Sequence, residues 1–371
     1  MTVSRENQIS LEATPFYHCY VRCVRRAYLC GDDHSTGVNY DYRKQWIVSR
    51  LRFLSYVYAI DICAYAVMSN HYHVVLHVDF ERAQRWTNEE VAERWLQLYK
   101  GNVLVDRWLK NPATLDEISF EKVQACLDDW RERLCSISWF MRGVNETIAR
   151  MANEEESCKG RFWEGRFKSQ ALLDEAAVLS CMAYVDLNPV RAGMAKDLFD
   201  SDYTSIQQRL FDFVQCRNEY RNERNKNCKN SSEKPTEIAL KKRINKQCET
   251  RKDLKLDKIP AAYLMPFDGS THSPRLGKTQ CALPFTREDY FELVDVTGRI
   301  LRADKRGMIT EDIPFIVTNF GINPDKWIEH IENFGRSYGY CIGSVTVMAD
   351  YAEYFGRSWS KGVAKSAQRY A

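Results

Sequence analysis

Two histidines one residue apart, His71 and His73, have the types and spacing that point most directly to chemistry. They begin an apolar segment that runs to Val78, and successive side chains of a β-strand alternate between its faces. The two imidazoles therefore share one face, where neutral ring nitrogens could bind one divalent cation. Paired histidines on a half-buried strand are more often packing or surface residues. The pair therefore needs a further ligand and a nucleophile before it indicates a catalytic site.

A second segment, Gly160 to Ala171, interleaves cations with aromatic rings. Its cations are Arg161, Arg166 and Lys168, and Trp163 lies among them. Cationic and flat aromatic side chains together suit contacts with the phosphates and bases of nucleic acid. An ordinary amphipathic strand with an exposed basic edge has the same pattern. The segment alone does not separate these two interpretations.

Tyr184 and Asn188 belong to a third segment, a predicted helix. Asp174 is a suitable N-cap for this helix, and apolar residues follow at three- and four-residue intervals. A separation of four places Tyr184 and Asn188 about one turn apart on the same side. Pro189 then ends the regular helix. Considered alone, Tyr184 is most simply a packing residue, and only its context could give it a chemical role.

The elements that must position these residues begin near the N-terminus. Strand signals at Phe16 to Val24 and Ile60 to Met68 precede the histidine strand, and Tyr42 to Tyr58 has helical spacing. Ser69-Asn70 is a turn signal, short enough to make the last two strands antiparallel neighbours. The predicted order is strand, helix, strand, strand, with the histidines at the start of the last strand.

The rest of the chain is predicted to be largely helical. An aromatic stripe from Glu81 to Arg150 repeats at helical intervals, which is typical of a core. Cys216 to Lys258 contains 14 Lys and Arg against 7 Asp and Glu, and this composition predicts a linker that is either simply solvated or in non-specific contact with phosphates. The predicted division is a catalytic domain over 1–214 with a helical insert at 81–135, a basic linker over 215–258, and a helical C-terminal domain over 259–371.

Composition restricts the class of protein. The 371 residues are 44% hydrophobic and 28% charged, and no apolar run approaches the roughly 18 residues of a membrane span. The N-terminus is polar and lacks the features of a secretory signal. The thirteen cysteines are scattered without Cys-x-x-Cys pairs, which favours reduced thiols. We therefore expect a soluble, cytoplasmic protein that has no membrane partner.

Taken in order, the three segments resemble those of the REP-associated tyrosine transposases, a branch of the single-tyrosine HUH transposases and nucleases that cut single-stranded DNA. The resemblance extends over roughly Pro15 to Tyr203. The motifs that carry it are Met68-Ser69-Asn70-His71-Tyr72-His73, Arg166-Phe167-Lys168-Ser169 and Tyr184-Val185-Asp186-Leu187-Asn188-Pro189-Val190-Arg191-Ala192-Gly193. It implies an α+β fold with a ferredoxin-like antiparallel sheet and helices, the HUH nuclease core. That fold agrees with the predicted strand-helix-strand-strand order.

The resemblance also implies roles for particular residues. His71, His73 and Asn188 would bind a Mg²⁺ or Mn²⁺ ion, and Tyr184 would be the nucleophile that forms a 5′-phosphotyrosine. The partner would be single-stranded or hairpin-forming repeat DNA, bound by a monomer or a homodimer associated with the nucleoid. The residues expected to contact DNA are Arg161, Trp163, Arg166, Lys168 and Arg191.

Three functions remain open at this point. The first is a metal-dependent tyrosine transposase or single-strand endonuclease that acts through Tyr184. The second is a protein derived from such an enzyme that binds DNA hairpins without cutting them, and the third is a metal-dependent hydrolase with water as its nucleophile. Ser69 stands where many relatives have proline, a change that should leave the turn intact. His18 also matches a histidine that is frequent in the family, and we expect it to be structural.

Overall fold

A computed structural model describes residues 8–24, 30–31, 37–212, 264–268, 281–302 and 313–370. The predicted linker over 215–258 lies outside these residues. The strands are β1 (Phe16–Arg22), β2 (Ile60–Val67), β3 (His71–Val78), β4 (Lys168–Leu172), β5 (Phe267–Asp268), β6 (Leu283–Thr286) and β7 (Cys341–Ile342).

The helices fall into two groups, one on each side of β4 along the chain. The first group is α1 (Arg43–Val57), α2 (Phe80–Arg85), α3 (Asn88–Leu96), α4 (Val103–Lys110), α5 (Glu117–Leu134) and α6 (Ile137–Glu155). The second group is α7 (Glu175–Asp186), α8 (Asn188–Arg191), α9 (Arg287–Leu301), α10 (Ile316–Asn319), α11 (Pro324–Ser337), α12 (Val345–Tyr354) and α13 (Val363–Arg369). Residues 205–212 are also helical. Among the residues described, no helix is both long and apolar enough to cross a membrane.

A mixed sheet of five strands, in the order β2-β3-β1-β4-β7, positions the three segments. The predicted antiparallel pairing of β2 with β3 is confirmed. Strand β1 lies between β3 and β4 and is antiparallel to both, while β4 and β7 are parallel. The fold is therefore mixed α/β. A ferredoxin-like arrangement within it remains a prediction.

Helices cover both faces of β3. On one face the Tyr72 hydroxyl donates a hydrogen bond of 2.8 Å to Asn145 Oδ1 on α6. On the other face the His73 ring lies against Tyr184 on α7. Because both faces are covered, the histidine face is buried as well as the apolar face, and only 5% of the surface of His73 remains exposed.

The predicted aromatic stripe does form a core between helices α3, α5 and α6. Trp95 stacks on Trp130 with ring centroids 5.4 Å apart and contacts Trp139 edge to face. Helix α3 begins with a complete capping box, in which Thr87 and Glu90 satisfy each other's backbone N–H groups. Helices α3 and α5 lie within the range predicted as an insert, and α6 follows that range.

The described C-terminal segments share one hydrophobic core with the sheet and cover its edges. At one edge β7 pairs with β4, and the Leu173 N–H donates to the Ile342 carbonyl. At the other edge the Val67 N–H donates to the Tyr203 carbonyl and the Ile62 carbonyl accepts from the Met265 N–H. The division into domains at residues 214 and 259 remains a prediction.

Candidate active site

The imidazoles of His71 and His73 meet on one face of β3, with ring centroids 4.9 Å apart and planes nearly perpendicular. In both rings the Nδ1 atom has a hydrogen-bond partner. His71 Nδ1 lies 2.5 Å from Asn70 Oδ1, and His73 Nδ1 lies 2.9 Å from His18 Nε2. Within the described part of the chain, neither Nε2 atom has a hydrogen-bond partner. The two Nε2 atoms are therefore the nitrogens that could bind a cation.

His18, which was predicted to be structural, lies beside the imidazole pair. It lies on β1, is 1% exposed, and contacts both His73 and Gln170, whose Oε1 is 2.8 Å from His18 Nδ1. The antiparallel register places Tyr20 opposite His73, so His18 and His73 are diagonal neighbours on one face of the sheet. The alternation along the segment from His18 to Arg22 could have predicted this proximity. No signal in the sequence pointed to Gln170.

Burial keeps these imidazoles neutral. It lowers the pKa of His18 to about 4, and it lowers the pKa of His71 to about 4 with smaller contributions from the charges of Arg22 and Arg191. The pKa of His73 is well below its ordinary value, again chiefly because of burial. A neutral imidazole retains the lone pair that metal binding requires.

Tyr184 faces the imidazole pair from helix α7. The predicted cap is confirmed, because Asp174 Oδ1 accepts a hydrogen bond of 2.8 Å from the Ala177 N–H. The Tyr184 ring meets the His73 ring edge to face, with centroids 5.6 Å apart, and it stacks on Phe334 of α11 at 4.8 Å. Only 6% of Tyr184 is exposed, and this burial raises the pKa of its phenol.

Two residues of α8 oppose that effect of burial. The positive charge of Arg191, 4.8 Å from the centre of the Tyr184 ring, and the nearby Asn188 amide both lower the pKa of the phenol. Arg191 Nη2 lies 3.5 Å from Asn188 Oδ1. Asn188 is therefore associated with the nucleophile candidate and the guanidinium. No hydrogen bond joins it to His71 or His73 among the residues described.

The donor atoms decide which ion would fit. Across the described residues, no group of three or more His, Cys, Asp or Glu side chains could hold a metal ion. The candidate set is therefore two imidazole nitrogens, with the Asn188 amide oxygen beside Tyr184 as the predicted third donor. Mg²⁺ prefers oxygen ligands, whereas imidazole suits Fe²⁺, Ni²⁺, Cu²⁺ and Zn²⁺. A Mg²⁺ or Mn²⁺ ion at this position remains a prediction.

The imidazoles and Tyr184 line a cavity of about 610 Å³ with a strongly basic wall. Glu164 and Glu332 are its acidic residues. Its basic residues are Arg22, Arg166, Lys168, Arg191 and Arg336. An excess of positive charge in a concave site attracts phosphate groups.

The predicted DNA-contacting residues occupy different environments. Arg166, Lys168 and Arg191 line the cavity, whereas Arg161 is exposed outside it. Trp163 is buried, and its indole N–H donates a hydrogen bond of 2.9 Å to the Asn145 carbonyl. In this structure Trp163 is a packing residue rather than an open platform for a base.

Helix α11 closes the cavity from the C-terminal side, which the sequence did not indicate. The Arg191 guanidinium donates a hydrogen bond of 2.8 Å to the Glu332 carbonyl. Gly335 approaches so closely that a Cβ atom there would lie 2.6 Å from the Tyr184 hydroxyl. A glycine at this position is what allows the phenol and the helix to be neighbours.

No family model matches this chain, and no curated protein matches it. A solved structure of a REP-associated tyrosine transposase bound to a REP hairpin is similar, with a TM-score of 0.33 and 13% sequence identity. The match covers 56% of this chain and 84% of the other. A TM-score of 0.33 is too low to indicate a shared function. The function is therefore inferred from the residues of the cavity.

Proposed function

We propose that this protein is a metal-dependent tyrosine transposase, a single-strand DNA endonuclease that forms a 5′-phosphotyrosine at hairpin-forming DNA. The observation that carries this proposal is the position of Tyr184, which contacts His73 of the imidazole pair inside one basic cavity. The order of strands β2-β3-β1-β4, antiparallel throughout, supports the ferredoxin-like HUH core.

The residues of the cavity have separate roles in this reaction. Arg166, Lys168 and Arg22 would bind the phosphates on either side of the scissile bond. The Tyr184 oxygen forms the new bond to phosphorus, and the bond to the 3′-oxygen breaks, so that a protonated 3′-hydroxyl leaves. The phenol gives up its proton to solvent during the attack, the departing 3′-oxygen takes one up from solvent, and Arg191 and Asn188 stabilise the phenolic oxygen as it loses its proton.

His71 and His73 would hold the cation through their Nε2 atoms, with Asn188 as the predicted third ligand. A bound cation would orient a non-bridging phosphate oxygen and offset the charge that develops on it. A phosphotyrosine keeps the bond energy of the phosphodiester, so the same site could rejoin the strand to another 3′-hydroxyl. Attack by water would only hydrolyse the bond.

One observation favours the second candidate, a protein that binds DNA hairpins without cutting them. Phe334 and Gly335 lie against Tyr184 and leave only 6% of it exposed. A nucleophile covered in this way would need α11 or the substrate to shift before the phenol could reach phosphorus. The basic wall of the cavity would bind phosphates in either case.

The test is the formation of a covalent protein–DNA adduct. Purified protein is incubated with labelled hairpin-bearing single strands and Mn²⁺ and analysed on a denaturing gel. Tyr184→Phe should abolish the adduct and leave hairpin binding intact. Tyr20→Phe is a matched control, because Tyr20 is the other phenol in the cavity, and it should retain the adduct.

Each of the other results would contradict the proposal. Binding with no adduct in the wild type indicates the non-cleaving protein. Strand hydrolysis that survives Tyr184→Phe indicates water as the nucleophile.

Replacement of both His71 and His73 by Ala should remove cleavage together with Mn²⁺ affinity. His77→Ala is the control, because His77 lies on the same strand face but pairs with Asp61.

A further inference from the structure

A buried series of hydrogen bonds connects His73 to the C-terminal part of the chain. Gln170 Nε2 donates a bond of 2.7 Å to the Gly339 carbonyl, and Gln170 Oε1 lies 2.8 Å from His18 Nδ1. His18 Nε2 in turn lies 2.9 Å from His73 Nδ1. Gln170, His18 and His73 are each at least 95% buried, so water does not compete for these bonds.

The chemistry of each atom fixes the direction of every bond in this series. A backbone carbonyl only accepts, so the Gln170 amide must direct its NH₂ group at Gly339 and its oxygen at His18. The flipped amide would place two acceptors 2.7 Å apart. Because an amide oxygen also only accepts, the proton of His18 must be on Nδ1.

The same argument extends to His73. A neutral His18 with its proton on Nδ1 has a lone pair on Nε2, which accepts a hydrogen bond. The proton of His73 must then be on Nδ1, the atom that faces His18. The lone pair of His73 is left on Nε2, which is the nitrogen available for a cation.

We propose that Gln170 and His18 are positioning residues that hold His73 in the tautomer with its lone pair on Nε2. This inference rests on the proposed function, because the tautomer matters only if His73 binds a cation. His71 has a similar arrangement with only one partner, because Asn70 Oδ1 lies directly against His71 Nδ1. Outer partners of this kind set the tautomer and orientation of metal-binding histidines in general.

The first measurement is made on metal-free protein with ¹⁵N-labelled histidine, by long-range ¹H–¹⁵N NMR. His73, assigned by His73→Gln, should carry its proton on Nδ1. In Gln170→Met, which removes the acceptor at similar side-chain length, part of the His73 population should move its proton to Nε2. Gln170→Glu, when its buried carboxyl is protonated, should restore the wild-type tautomer, because its hydroxyl donates to the Gly339 carbonyl and its carbonyl oxygen accepts from His18 Nδ1.

The second measurement is a titration with Mn²⁺ alone. Gln170→Met should weaken Mn²⁺ binding about 10- to 100-fold, the usual effect of losing an outer-shell partner, and Gln170→Glu should recover most of it. Gln208→Met is the matched control for the loss of a buried amide, because Gln208 accepts a bond from Tyr65 elsewhere. It should leave Mn²⁺ affinity unchanged.

The outcomes separate this inference from the proposed function. A wild-type His73 with its proton on Nε2 overturns the inference and requires no variant to fold. If Gln170→Met keeps both the wild-type tautomer and the wild-type Mn²⁺ affinity, the inference is also overturned. In that case adduct formation by the wild type would still support the proposed function. If the wild type forms no adduct but shows the expected tautomer and its loss in Gln170→Met, the positioning role holds and the proposed reaction fails.

Discussion

The helical insert and the C-terminal segments are the two regions that the family resemblance does not explain, and they differ in their relation to the cavity. Helices α2 to α5 contribute none of the described residues that line it. Helix α11, by contrast, supplies Glu332, Gly335 and Arg336 to its wall, and Phe334 stacks on Tyr184. The carbonyl of Gly339, just beyond α11, orients Gln170.

The site and the insert can therefore be separated experimentally. Changes in the insert should alter the free energy of unfolding without altering the chemistry of the folded protein. Changes in α11 should alter the chemistry of the folded protein and have little effect on the free energy of unfolding. Four substitutions test this separation, and three of them have a matched control in the insert.

The largest effect is expected in the insert. Trp130 is 5% exposed and stacks on Trp95. Trp130→Ala should lower the free energy of unfolding by about 3–5 kcal/mol, because it removes a buried indole and leaves a cavity. Chemical denaturation measures this loss. The rate of adduct formation per folded molecule should be unchanged, and a large fall in that rate would show that the insert supports the site.

Gly335→Ala should have the opposite signature. The new Cβ would displace the Tyr184 hydroxyl, and a misplacement near 1 Å can cost about 100-fold in rate. Alanine favours a helix over glycine by about 1 kcal/mol, which offsets part of the cost of the clash, so the loss of stability should be small beside the loss of rate. Single-turnover adduct kinetics provide the measurement.

The control for this glycine is in the insert. A Cβ at Gly101 would meet Asp106 and Leu96 at 2.7 and 2.8 Å, clashes of similar severity. Gly101→Ala should likewise displace only the ends of side chains, and it should leave cleavage alone. Equal loss of cleavage in both variants would remove the distinction between the two regions.

Arg191→Met should change the pH dependence of cleavage. Burial raises the pKa of Tyr184 and the Arg191 charge lowers it, so loss of the charge raises that pKa further. The rise of the rate with pH should move to higher pH, with a loss on the order of tenfold near neutrality. Arg131→Met is the control. It removes a guanidinium that donates to the Ala83 and Trp86 carbonyls in the insert, and an identical shift there would contradict the assignment.

The smallest effect concerns DNA affinity. Arg336 is exposed at the mouth of the cavity. Arg336→Ala should weaken hairpin binding a few-fold and reduce the slope of log affinity against log salt by about 0.7–0.9, the contribution of one phosphate contact. Lys122→Ala removes an exposed cation of the insert and should change neither quantity. Fluorescence anisotropy over a range of salt concentrations distinguishes the two.

Local patterns predicted much of this structure, because local rules decide turns, caps and faces. The Ser69-Asn70 turn, the Asp174 cap and the shared face of His71 and His73 all follow from spacing of a few residues. The pairing of β4 with β7 and the approach of Gly335 to Tyr184 join residues about 150 or more apart. Periodicity contains no information about such contacts.

The residue types in the sequence indicated which side chains form the candidate site. They did not indicate the hydrogen-bond partners that hold those side chains in place. Gln170 is one polar residue on a strand, and its importance depends on a carbonyl supplied by Gly339. Trp163 lies among cations in the sequence, whereas in the structure its ring is buried and its indole N–H donates to the Asn145 carbonyl, so a contact with DNA remains a prediction. The ligand set, the nucleophile and the metal remain predictions that the experiments above address.

The covered edges of the sheet also bear on how copies of this protein could associate. At one edge of the sheet, Tyr203 and Met265 form hydrogen bonds with backbone groups of β2. At the other edge, β7 is only two residues long. Edge strands that are very short, or whose backbone groups are already hydrogen-bonded, are poor templates for pairing with a strand of another molecule. Pairing of these two edges with strands of another copy is therefore disfavoured.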